Sequence, residues 1–184
     1  MPSRIFLAFL GLCTLAAPAQ GGDMAANPYA GQQARMIKAL SDEDIAVLRK
    51  GEGMGMAKAA ELNGYPGPVH VLTLAAQLGL SESQRREVSA IFERMTVAAK
   101  PLGAALIERE QALDQLFAKG EITPARLTAE TTAIAELQGR LRSVHLGAHL
   151  ETHALLNSEQ IARYEHLRGY GEPQAPAEHH HHDG

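Results

Sequence analysis

Apolar residues return at helical intervals through the second half of the chain. Val88, Ile91, Phe92, Met95, Leu102, Leu106, Leu113, Leu116 and Phe117 follow one another mostly at steps of three, four and seven, which places them on one stripe of a helix predicted over 81–119. Gly120 ends that pattern, and Thr123 followed by Pro124 supplies an N-cap and a proline at the first helical position. A second stripe then runs through Leu127, Ile134, Leu137, Leu141, Val144, Ala148 and Leu155. Two long helices joined by so short a connection fold back on each other, so the expected class is all-α: a long antiparallel helical hairpin with short flanking helices. At about 1.5 Å per residue the first helix would span roughly 58 Å. Pro101 lies inside it. A proline there removes one backbone bond at a cost of about 3 kcal/mol, so a kink near Ala98–Pro101 is expected, with a complete break as the other outcome.

Ahead of the hairpin the signals are shorter. A helix is expected over Gln32 to Leu40, and another after Ser41, which can cap while Asp44 reciprocates, running to about Arg49. "GEGMGMAKAAELNGYPGP" (51–68) reads as a loop around one helical turn at Ala57–Leu62, and Val69 to Leu78 as a brief helix ended by Gly79. The predicted organisation is a signal peptide at 1–19, a flexible leader at 20–30, the hairpin domain at 31–168 and a disordered tail at 169–184.

The leader carries a location. Arg4, the apolar run Ile5 to Leu15 and Ala17-Pro18-Ala19 have the layout of a secretory signal cut after Ala19. The run is shorter than the ~20 residues of a membrane-spanning helix. Cys13 after "LGL" admits lipid attachment, but bulky Leu12 and the early position weigh against it. A soluble periplasmic product is expected, without cysteine, since Cys13 is the chain's one cysteine. The 17 basic and 21 acidic residues give −4, and loss of Arg4 with residues 1–19 makes it −5. That balance excludes nucleic acid as the expected partner, because phosphate neutralisation needs clustered Lys and Arg.

Two short stretches match. "LSESQ" (80–84) and "LNSEQ" (156–160) each place a leucine, a small polar residue, and glutamine three positions after it. Ser81 or Asn157 can accept from the N3 amide while Gln84 or Gln160 reaches back to the cap's own N–H. The hairpin brings positions 81 and 157 together at its open end. On these motifs the chain, over roughly residues 70–168, resembles the Spy/CpxP family of periplasmic proteins, whose LTxxQ motifs prefer threonine where Ser81 and Asn157 stand here. The resemblance implies a hairpin-based fold, often a homodimer, with a concave cradle. The family holds refolding chaperones and a heavy-metal resistance and sensor branch (ZraP, CnrX) that uses histidines near the open end. The refolding chaperones have basic, Met-rich or aromatic-studded cradles, whereas this chain is acidic and has no Trp.

"HLGAHLETHALLNSEQ" adds His145, His149 and His153 at four-residue steps. Such neighbours lie about 6 Å apart, so one ion can bridge an adjacent pair, with His145 and His149 preferred. Each step also turns by about 40°, which carries His153 toward solvent. Two imidazoles do not close a tetrahedral site, so Glu93, Met95 and His70 are the candidate additional ligands. That donor set suits Zn, Ni, Co or Cu. The plain alternative is that these are polar residues on a helix edge. His166 is assigned to the surface or to packing, and Met54 and Met56 to packing in a glycine loop. The run His179 to His182 is either a native chelating tail or a purification remnant.

No G-x-S-x-G turn, H-E-x-x-H or phosphate loop is present, and no enzyme is expected. The leading expectation is a periplasmic metal-binding protein of the resistance or sensor type. The alternative is an ATP-independent chaperone or envelope-stress adaptor with no obligatory metal. Its partners would be unfolded clients or an envelope signalling protein.

Overall fold

A computed structural model describes residues 27–170 of the chain. The expected signal peptide, Cys13, residues 20–26 of the leader, and the tail from 171 with His179–His182 lie outside the described residues. The stretch through Gly31 is a unit of its own, and its described part is one turn in which Ala30 N donates to Asn27 O and Tyr29 N to Asn27 Oδ1.

The remainder is all-α. Six helices follow a 3-10 turn at Gln32–Ala34: α1 (Asp42–Lys50), α2 (Lys58–Glu61), α3 (Pro68–Thr73), α4 (Glu82–Ala118), α5 (Pro124–Leu155) and α6 (Ser158–Leu167). No described helix is long and apolar enough to cross a membrane. α4 and α5 form the expected antiparallel hairpin, and Arg94 Nη2 meets Glu151 Oε2 at 2.6 Å across it. Thr123 Oγ1 caps α5 by accepting from Arg126 N at 3.3 Å, with Pro124 at the first position. α4 runs unbroken through Pro101, so the complete break does not occur.

Two expectations about the flanking helices change. The helix over Gln32–Leu40 is only the 3-10 turn. Lys38 N donates to Asp114 Oδ1 at 3.1 Å instead of joining a helical ladder, and Ile37 drops into the core. The helix after Gly67 is shorter than predicted, ending at Thr73, with turns carrying the chain to Gly79. α1 follows expectation, with a full Ser41–Asp44 capping box and Gly51 left-handed at its end.

Side-chain packing divides the interior in two. Near the middle of the hairpin, Ile37 and Leu48 pack on Ala99, Leu102, Leu106, Ile107, Ile134 and Leu141. α1 comes so close that a Cβ on Gly103 would collide with the Leu48 carbonyl. At the open end, Val71, Ala75, Leu78 and Leu80 pack on Val88, Leu156 and Tyr164. Toward the turn the stripes run out into solvent: Phe117 is 56% and Leu127 40% exposed.

The matched caps do more than start two helices. Ser81 Oγ accepts from Gln84 N and Asn157 Oδ1 from Gln160 N, completing two capping boxes. Each glutamine oxygen accepts its own cap's N–H, at 3.0 Å from Ser81 and 3.1 Å from Asn157. The two amides then bond each other, Gln84 Nε2 to Gln160 Oε1 at 2.9 Å and Gln160 Nε2 to Gln84 Oε1 at 3.1 Å. Their second protons go to the carbonyls of Leu155 and Leu78. Every donor and acceptor of both amides is thus used.

Gln160 is buried, so truncating either partner strands the other. Gln160→Ala should cost about 1–3 kcal/mol in urea unfolding, and Gln84→Ala on that background should cost much less than on wild type. Simple additivity of the two would show that the amides act separately.

Candidate functional site: the histidine face of α5

His145, His149 and His153 lie along one flank of α5, and the segment Gly51–Gly67 runs over them as a strap. His145 is 4% exposed, and its ring takes the room beside Gly53, where a Cβ would stand 3.1 Å from Nδ1. His149 is 9% exposed and its Nδ1 donates to the Tyr65 carbonyl at 2.7 Å. That bond places a proton on Nδ1, and Nε2 faces the Gly67 backbone. A Cβ on Gly67 would come within 2.9 Å of that ring. His153 is half-buried and stacks on the Tyr65 ring, centroids 4.4 Å apart. The three imidazoles are therefore the rail on which the strap sits.

The strap is anchored by Glu61, the last residue of α2. Its Oε1 accepts from Tyr164 OH at 2.6 Å, Tyr170 OH at 3.0 Å and Arg168 Nε at 3.3 Å. Its Oε2 accepts from Gly67 N at 3.2 Å and lies 3.8 Å from His149 Nδ1. Three of the chain's four tyrosines thus meet at this strap. Gly169 and Tyr170 were expected in the disordered tail, yet Tyr170 is ordered because its hydroxyl is needed at Glu61 and its ring lies under Arg168.

The electrostatics follow from burial and these partners. Burial alone would raise the Glu61 pKa, but the hydrogen bonds from Tyr164 and Tyr170 and the nearby imidazoles of His149 and His70 hold it below the ordinary carboxylate value. Burial and the carboxylate beside it push the Tyr164 phenol up. The His70 pKa is lowered by burial and by Arg168, with Glu61 opposing. That of His145 is lowered by burial and by His149. His145 Nε2 is buried with no hydrogen-bond partner.

Of the six candidate ligands, His145, His149 and His153 share the α5 flank and His70 stands near Glu61 and His149. Glu93 is exposed on α4, and Met95 is half-buried on the same helix. Among the described residues no three His, Cys, Asp or Glu side chains converge on a point that could hold an ion. Both Glu61 oxygens are already taken by donors, and His149 Nε2 abuts a backbone. As they stand, these side chains do not fit a transition-metal centre. Met56 packs against the mid-hairpin core, while Met54 is exposed with φ 45°.

Glu61, Tyr65, Tyr164, Arg168 and Tyr170 escaped the sequence reading. The one available signal is the placing of scarce tyrosines at "YPGP" and within and just after α6. Compared with protein-family models, curated proteins and solved structures, the chain matches none.

A carboxylate with a depressed folded pKa contributes stability that is present above its unfolded value, about 4.3, and lost as pH falls through the folded one. Glu61→Gln should therefore be less stable than wild type at pH 7, with the gap closing below about pH 4 in urea titrations. A gap unchanged at pH 3 would show that charge at Glu61 is not what anchors the strap.

Proposed function

We propose that this protein is a helical-hairpin binding module of the envelope-adaptor or chaperone type, which holds an amphipathic helix of a partner polypeptide against the α4–α5 face turned away from α1. The observation that carries this reading is a groove of about 970 Å³ between the two long helices. Ala98, Pro101, Leu102 and Ala105 form one wall, and Leu137 and Val144 lie on the other. α1 meets α4 on a different side, around Ala99 and Gly103, so the short helices leave this face unroofed. A helix laid into an apolar groove is a common mode of peptide recognition.

Two further features select the occupant. Gly139 lies in the groove, in the interior of α5, with nothing within 4 Å of where a Cβ would stand. Glycine there costs the helix about 1 kcal/mol relative to alanine, and no internal contact repays it. An incoming backbone would. Glu136 and Arg140 flank it one turn apart, exposed, and no described ion pair involves either. A partner helix carrying a base and an acid one turn apart would complement them. The paired cap motifs at the open end agree with the Spy/CpxP resemblance, and that family's periplasmic setting is part of the reading.

Opposite signs make a sharp test. Gly139→Ala should raise stability by up to about 1 kcal/mol. Gly139→Trp and Ala105→Glu should each weaken binding of a labelled amphipathic helical peptide at least tenfold, with EDTA present throughout. Equal binding by wild type and both variants would overturn the proposal. Loss of self-association in Gly139→Trp by sedimentation would instead name a second copy as the occupant.

A further inference from the structure

The strap over α5 is built around a group that has nowhere to put a second proton. Neutral His145 is tolerated there: its ring fills the space beside Gly53, and Nε2 is enclosed with no acceptor in reach. A protonated imidazole carries an N–H at both nitrogens and a full charge. Burying either without a partner is costly, and burying both together more so. The charged or titratable group that faces His145 is His149, on its own helix, which repels a cation. From the strap the Gly53 backbone lies against its ring.

The other end of the strap has the opposite surroundings. His149 faces the Glu61 carboxylate at 3.8 Å and its Nδ1 is partnered by the Tyr65 carbonyl. His70, on α3, faces Arg168 from α6, Glu61 from α2 and His149 from α5. His153 meets the Tyr65 ring. Protonation therefore strains the Gly53 end while Glu61 keeps hold of the Tyr65–Gly67 end.

We infer that the strap is a proton-operated flap: residues 51–57 lie closed on α5 while His145 is neutral and lift from it when His145 takes up a proton, while the part from α2 to Gly67, held by Glu61, stays in place. Lifting would admit water to His145 and withdraw Met56 from the mid-hairpin core, against which it packs. Gly51, Gly53 and Gly55 give this stretch the backbone freedom to move, and no regular element spans 51–57.

The direction is fixed by linkage. A histidine whose pKa is depressed in the closed state contributes closing free energy that is complete above its free value of about 6.5 and decays as pH falls below it. Between pH 7.5 and 5.5 one such group raises the open population by up to about tenfold.

Amide hydrogen exchange on the full chain, corrected for the intrinsic pH dependence of exchange, reads this directly. Opening of 51–57 should rise several-fold to about tenfold at pH 5.5, while amides of α4 and α5 and those of Tyr65 and Gly67 hold their protection. His145→Leu keeps the buried volume apolar and should abolish the rise. No rise in wild type, or the same rise in the leucine variant, would overturn the inference. Should that variant not fold, the NMR titration of the wild-type His145 ring decides. Strap amides moving with the same midpoint support the flap. A ring that titrates while they stay fixed overturns it.

Discussion

Two glutamine amides, each closing its own helix's capping box and each bonded to the other, set the geometry from which the remaining contacts follow. A helix start is ordinarily a local matter, settled within four residues. Here the same side chains satisfy two N-caps and one interhelical pair, so α4 and α6 cannot shift against each other without breaking both amide–amide bonds. The pairing places α6, and α6 delivers Tyr164, Arg168 and Tyr170 to Glu61. Glu61 in turn holds the strap on α5.

The strap interface is polar where leucines would have packed more simply. His149 and Glu61 fix orientation through directional bonds that an apolar side chain cannot make. His145 is the exception, a buried ring with an unused nitrogen. Native interiors hold few such groups, and each calls for a reason. Its position beside a glycine-rich stretch with no regular structure is what gives protonation a local place to act.

A two-helix hairpin has more apolar surface than its own contact can cover, and the chain spends its short helices unevenly. α1 roofs the middle of α4, and α2 and α3 close the open end against α5, leaving the Ala98–Ala105 side bare. The small residues there, with Gly139 opposite, make a shallow trough rather than a filled seam. This is the physical basis for reading the molecule as a binding module. It also separates the apolar face from the histidine face, so the two can be perturbed one at a time.

What was legible in the residues alone was local. Helical spacing from Val88 onward, Gly120, Thr123-Pro124 and the two L-x-x-x-Q stretches gave the hairpin, its turn and its caps, because each depends on neighbours a few positions away. The Gln32–Leu40 helix failed because Asp114, far along the chain, captures the Lys38 amide. Spacing places the histidine ladder along α5 but sends His153 toward solvent, whereas Tyr65 covers it; what the ladder faces is decided by the strap, since Gly53, Tyr65 and Gly67 carry no periodic pattern to announce their docking. Periodicity tells which residues share a side. Only the folded chain decides what comes to lie against it, since that contact is made between segments some ninety residues apart, about which no local spacing holds information.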